Sequence, residues 1–183
     1  DMPTELPDGL IISTVLPRED VRDSFVSRKF NTISDLPNGC TVGTSSIRRR
    51  AQLLSCRPDL NIVEFRGNVQ TRLRKLDDGV ADATFLACAG LVRLKLFELI
   101  NPVNVNDMLP AVAQGAIGIE QRADNEQIRE FLAPIHHCET ELQLLAERSF
   151  LSELDGSCRT PIGGLAKIAQ DKIILTGEIL RSD

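Results

Sequence analysis

The 183-residue sequence has no tryptophan, no tyrosine and only two histidines, His136 and His137. Lacking Trp and Tyr, and with seven Phe, it offers few surfaces on which nucleic-acid bases can stack, so a nucleic-acid partner is not expected. Two adjacent histidines leave few candidates for a Ser or Cys nucleophile activated by His. His136-His137-Cys138 is not expected to bind metal, because consecutive side chains diverge and no second ligand group has the required spacing. Neither a Walker loop nor GxGxxG occurs. No run approaches the roughly 18 apolar residues of a membrane span, and no charged-then-apolar leader opens the chain. The expected location is a reducing one, the cytoplasm or an organelle, with no membrane partner. The five cysteines, Cys40, Cys56, Cys88, Cys138 and Cys158, are odd in number and contain no CxxC pair. That argues against a disulfide framework and against structural zinc.

At 42% apolar residues the chain can bury a sizeable core, as one large domain or two to three small ones. Its charge is unevenly placed. Residues 41–75 hold eight basic side chains against Asp59 and Glu64, a net of +6 that leaves −11 for the rest of a chain whose total is −5. A basic block inside an acidic protein suggests a focused site for an anionic partner.

From residue 40 the pattern alternates. A short apolar run at 40–43 precedes a helical stretch at 47–54, a strand at 61–65, a helix at 68–78 stopped by Gly79, and a strand at 81–87. A further helix is expected at 90–99. Alternation of this kind predicts a mostly parallel α/β sheet with ligands at the carboxyl ends of its strands. Residues 101–110, with Pro102 and Pro110, read as a connection. Strands are expected at 10–16 and 116–121. A helix over 139–154 places Leu142, Leu145, Ala146 and Phe150 on one face and stops at Asp155-Gly156. Two strand-like runs, 165–169 and 172–180, are joined by Gln170-Asp171 in a tight hairpin.

Three constellations carry chemistry. In GTSSIRRR, Gly43–Arg50, a glycine and three hydroxyl residues precede a helix whose first turn bears arginines, so amides, hydroxyls and guanidinium groups converge on an anion. The plainer reading is an N-cap at Ser45 or Ser46 with solvated arginines. Neighbours on a helix point about 100° apart, so two of Arg48, Arg49 and Arg50 reach a common site while the third stays exposed. In FRGNVQTRLRKL, Phe65–Leu76, Arg66 and Arg72 are suited to clamp separate carboxylates, while Arg74 and Lys75 belong to a solvated face balanced by Asp77 and Asp78. In LDGSCRTPIGG, Leu154–Gly164, Cys158 lies on a glycine-bearing loop beside Arg159, a cation that favours the reactive thiolate. Cys40, Cys56 and Cys88 instead sit within apolar patterns as buried small hydrophobes.

Six segments in order, DMPTELPDGL, REDVRDSFVS, VGTSSIRRRAQL, FRGNVQTRLRKL, LPAVAQGAIGIE and DGSCRTPIGG, closely resemble the porphobilinogen deaminases over essentially all 183 residues. The resemblance implies a three-domain α/β protein: two domains like the halves of periplasmic binding proteins and a smaller α+β C-terminal domain. Residues 1–17 with 114–134 would be what remains of the first, 18–113 the second, and 135–183 part of the third. It also implies a dipyrromethane cofactor joined by thioether linkage to Cys158. The implied activity is that of a transferase that deaminates and condenses four porphobilinogen molecules into hydroxymethylbilane, in haem and other tetrapyrrole synthesis, without metal.

By the same resemblance, Thr44, Ser45, Ser46, Arg48, Arg49 and Gly90 hold the cofactor, and Arg66, Arg72, Arg93 and Gln114 serve the incoming substrate. Asp1 matches the aspartate of the family's HSxKDxP segment, whose carboxylate faces pyrrole N–H groups and stabilises the positive charge that develops during deamination and coupling. The family implies a monomer. It also implies sequence beyond both ends, so that these 183 residues alone are not expected to sustain turnover. The rival reading is a periplasmic-binding-protein-like module for a small anionic ligand, which needs no reactive Cys158.

Overall fold

The computed structural model describes residues 6–154 and 160–181. Asp1 and Cys158 lie outside the described residues.

Strand β1 (Leu10–Val15) is followed by β2 (Asp23–Ser27), β3 (Thr41–Gly43), helix α1 (Ile47–Cys56), β4 (Asn61–Val63), α2 (Val69–Asp77), β5 (Ala83–Ala87) and α3 (Cys88–Arg93). The four strands β2, β5, β3 and β4, in that order, form the central sheet. β3 pairs in parallel with β4 and β5, as the alternating pattern predicts, whereas β2 closes one edge antiparallel to β5. Side chains alternate across a strand, so neighbouring residues feed opposite faces. Phe25 and Phe85, direct cross-strand partners, meet edge-on at 5.6 Å and join Val42, Leu53 of α1 and Met108 on one face. Val26 and Leu86 pack with Phe65, Leu76 of α2 and Leu91 of α3 on the other.

Sequence periodicity locates these elements but overextends some. α3 ends at Arg93, where Lys95 takes a left-handed φ of 59°, and a separate 3₁₀ turn spans Phe97–Leu99. Residues 101–103 are not a free connection. Phe25 N–H donates to Asn101 O at 2.9 Å and Val103 N–H to Asp23 O at 2.8 Å, so this segment runs along the outer edge of β2 and occupies its ladder groups.

Beyond it, β6 (Gly118–Arg122) pairs antiparallel with β1, bringing the start of the chain back against residues 118–122. Then come α4 (Glu126–Leu132), α5 (Cys138–Glu153), and the hairpin of β7 (Ile162–Ala169) and β8 (Lys172–Ile179). The hairpin turn Gln170-Asp171 has φ values of 50° and 59°, both positive as a two-residue type I′ connection requires.

The inward face of α5 differs in part from the expected one: Ala146 and Phe150 are half-buried, the Phe150 ring lying beside Gly164 and Gly177 of the hairpin. Leu142 and Leu145 are exposed, and the buried positions are Thr140, Leu144 and Glu147, spaced at i, i+4, i+7. The periodicity of the leucines misleads because the helix is anchored by a carboxylate. Glu147 is fully buried. It takes Arg18 in a fork of 2.7 and 3.0 Å and also accepts Ala113 N–H at 2.7 Å and Ala166 N–H at 2.8 Å. One carboxylate thus joins the segment after β1, the loop after residue 110, α5 and β7. The loop approaches closely enough that a Cβ on Gly115, at φ +86°, would lie 2.6 Å from Glu19 O.

Removing one partner of such a pair strands the other. Glu147→Gln is expected to lower unfolding free energy by about 3–5 kcal/mol, read by urea denaturation, whereas Glu141→Gln at the helix surface should change it by about 0.5 kcal/mol or less.

Candidate functional site

The turn from β3 into α1 determines the site. Gly43 ends the strand where a Cβ would stand 2.5 Å from the Phe65 ring, so only glycine fits. Thr44 is buried and its Oγ1 accepts Ser46 N–H at 3.1 Å, while Ser45 Oγ accepts Phe65 N–H at 2.9 Å, tying the turn to the end of β4. Ser46 is the N-cap, its side chain accepting Arg49 N–H. The capping reading therefore holds, but the arginines are not solvated.

Arg48 and Arg49 are buried, 5% and 8% exposed, and Arg50 points out. The two share Asp23, the first residue of β2: Arg48 Nη2 lies 2.7 Å from Oδ2 and Arg49 Nη2 2.6 Å from Oδ1. Gln114 donates Nε2 to Asp23 Oδ1 at 3.0 Å and to Val21 O at 2.7 Å. Arg48 Nη1 donates to Leu109 O at 2.7 Å and to Gln52 Oε1 at 2.8 Å, and Arg49 Nη1 to Phe85 O at 2.9 Å. Among the described residues, the Nε of each is buried without a hydrogen-bond partner. Burial works to raise the pKa of Asp23, but the charges and hydrogen bonds of Arg49 and Arg48 outweigh it and hold the carboxyl below its ordinary value. Burial lowers that of Arg48, against the pull of Asp23.

These arginines line a cavity of about 420 Å³ with Ser45, Ser46, Arg72, Gln114 and, from the far side, Leu151 of α5, Thr160 and Ile162. Arg72 donates Nε to Gly67 O at 2.9 Å and has no carboxylate partner among the described residues. Burial, and then the charge of Arg49, lower its pKa from the usual value without discharging it. The cavity wall is therefore cationic and hydroxyl-lined, suited to bind carboxylates.

Other residues singled out from sequence stand elsewhere. Arg66 is an exposed side chain 2.6 Å from Glu64, and Lys75 is not balanced by Asp78 but donates to Arg66 O and sits over the Phe65 ring. Arg93 is exposed and donates to Gly115 O; neither it nor Gly90 nor Arg66 is among the cavity's lining residues. Cys56 is exposed rather than buried, its thiol near Gln52 O and Leu53 O at the end of α1. Burial pushes the Cys88 thiol up to about 11 and raises that of Cys40, so neither is a thiolate at neutral pH. His137 caps α5 and His136 pairs with Glu141, which accounts for both imidazoles. Asp23 is the site residue that sequence reasoning misses. The signal was an aspartate opening a strand, DSFVS, whose first four residues are buried, where an unpaired charge would be prohibitive.

Residues 1–130 match the family model described as the dipyrromethane cofactor-binding domain of porphobilinogen deaminase, and residues 142–183 match that of its C-terminal domain. The chain belongs to the porphobilinogen deaminase family. A porphobilinogen deaminase of Paracoccus denitrificans is 59% identical over the whole chain, and one of Nitrobacter winogradskyi is 52% identical. The chain spans 59% and 58% of the lengths of those relatives. Among solved structures, a putative methionine-binding lipoprotein from Bacillus subtilis is similar over 70% of this chain and 62% of its own, at TM-score 0.48 and 13% identity. An arginine-specific periplasmic binding protein of Salmonella typhimurium is similar over 74% of this chain and 56% of its own, at TM-score 0.41 and 16% identity. The α/β class itself rests on the order and pairing of strands and helices described above.

Asp23 contributes stability above the pKa that its carboxyl has in the unfolded chain, near 3.8, and that contribution is lost as pH falls through the lower folded value. Asp23→Asn is expected to cost about 3–5 kcal/mol at pH 7 and to flatten the acid limb of stability below pH 4, as measured by urea titrations across pH.

Proposed function

We propose that this chain is the cofactor-bearing part of a porphobilinogen deaminase, a monomeric, cytoplasmic transferase of tetrapyrrole synthesis. It condenses four porphobilinogen molecules and releases hydroxymethylbilane and ammonia. The observation that carries the reading is the cavity in which Arg48, Arg49, Arg72, Ser45 and Ser46 face Leu151 and Thr160. The latter two flank in sequence the segment that contains Cys158.

The residues fit a dipyrromethane. Its rings carry acetate and propionate groups, and the cavity is lined by three guanidinium groups, one of them without a carboxylate partner among the described residues, and by two serine side chains. Attached to Cys158 by a thioether, the cofactor supplies the terminal pyrrole to which each new porphobilinogen is joined as ammonia leaves. The chain's own residues do the rest. Arg48 and Arg49 hold the carboxylates of the attached rings, and Ser45 and Ser46 add hydroxyl donors, with Thr44 bracing the turn. Gly90 belongs with the cofactor-binding residues, and Arg72 and Gln114, with Arg66 and Arg93 outside this cavity, serve the substrate and the lengthening chain. Asp1 supplies a fixed carboxylate to pyrrole N–H groups and to the positive charge that develops on them. The domain division proposed is 1–17 with 114–134, 18–113, and 135–183; the β1–β6 pairing supports joining the first two segments.

Intact mass spectrometry of freshly prepared full-length protein is expected to show a dipyrromethane adduct mapped to Cys158 and none in Cys158→Ala. An unmodified Cys158 thiol would overturn the proposal in favour of a binding module for small anions.

A further inference from the structure

We propose that Gln52 and Glu178 are positioning residues: their hydrogen bond ties the β7–β8 hairpin to Arg48, so that the hairpin next to the cofactor's attachment point and the arginine that receives the cofactor keep one register. The inference rests on the deaminase reading above and deepens it.

Gln52 lies one turn after Arg48 on α1 and is buried. Its amide is fully used. Oε1 accepts Arg48 Nη1–H at 2.8 Å, while Nε2 donates to Leu109 O at 3.0 Å and to Glu178 Oε2 at 2.5 Å. A guanidinium only donates and a main-chain carbonyl only accepts, so the amide cannot be turned over and one N–H is left for Glu178. Glu178 sits on β8 opposite Gly163 of β7, beside the pair Ile162 and Ile179. Ile162 lines the arginine cavity, and Cys158 precedes it by four residues in sequence. The bond therefore holds the hairpin at the end nearest the attachment point.

Two anchors fix what one would let pivot. Glu147 holds β7 through Ala166 N–H, and Glu178 supplies a second hold from the neighbouring strand, made directly to the helix that bears the arginines. A cleft of about 490 Å³, lined by Gln52, Leu109, Leu165 and Glu178 among others, lies between α1 and the hairpin, so apolar packing does not close the two on one another there. The carboxylate also favours the charged form of Arg48, against the effect of burial.

The test compares full-length protein with its Glu178→Ala, Glu178→Gln and Gln52→Leu variants. Intact mass reads the fraction of freshly prepared protein that carries the Cys158 adduct, and porphobilinogen consumption is expressed per adduct-bearing molecule. Glu178→Ala and Gln52→Leu are expected to lower the adducted fraction at least about threefold and kcat about tenfold, with KM changed by less than about twofold because Arg72 is untouched. Glu178→Gln keeps an acceptor oxygen for Gln52 and should recover most of what alanine loses. A merely structural contact predicts a lower melting temperature with loading and kcat unchanged, and that result overturns the proposal; so does a Glu178→Gln variant as impaired as Glu178→Ala. Should Gln52→Leu not fold, the two substitutions at half-buried Glu178 decide. Unsubstituted protein with neither adduct nor consumption removes the deaminase reading and this inference together, whereas adduct-bearing protein indifferent to Glu178→Ala removes this inference alone.

Discussion

Two arginine charges share one buried carboxylate, and much of the site follows from that imbalance. Moving a guanidinium out of water is costly, and one carboxylate cannot neutralise two. The surplus positive charge is tolerated because main-chain carbonyls of Leu109 and Phe85 and the amide oxygen of Gln52 each accept a further terminal N–H. What is left over is a cationic wall suited to a ligand carboxylate. The sheet exists in the right form to support it. β2 runs antiparallel at the edge, so its first residue, Asp23, lies at the same end as the carboxyl terminus of β3, where α1 begins. An extra parallel strand in that position would have put a different residue there.

The second buried ion pair extends the same construction. Arg18, gripped by Glu147, also donates Nε to the main-chain oxygen of Gln114, whose side chain grips Asp23. A continuous polar line therefore runs from α5 and β7 through the loop at 113–115 to α1. Packing of apolar surfaces alone tolerates sliding by a fraction of an ångström, but hydrogen-bonded charges have a single good geometry. Registering α5 and β7 in this way also registers Leu151 and Thr160 against the arginines.

Much of this was legible in the sequence, and what was not has a common cause. The helix cap at Ser46, the divergence of Arg48 and Arg49 from Arg50, the Gly79 stop and the Gln170-Asp171 turn are local effects, set by backbone preferences within a few residues. Asp23 and Glu147 were invisible because their meaning comes from partners 19 or more residues away. The same blindness misassigned α5. A pattern reader counts leucines as the buried stripe, whereas Glu147, the most deeply held side chain of the helix, reads as polar and therefore outward. Cys56 failed for a simpler reason: at the last turn of α1 an apolar-looking position has no element above it.

The placement of charge also explains why so many arginines lie near one another without being equivalent. Arg48 and Arg49 are locked by internal partners, which on the proposed function suits them to rings that stay in place. Arg72, which lines the cavity and donates to the main-chain oxygen of Gly67, and Arg66, paired among the described residues with exposed Glu64, are held more loosely. Exposed pairs of that kind exchange partners at little cost, because water screens both the bond lost and the bond gained. On the proposed function, a product that gains two carboxylates with every added ring would be served by both kinds of cation: a rigid pair that fixes its origin, and loosely held ones that can follow its growing end.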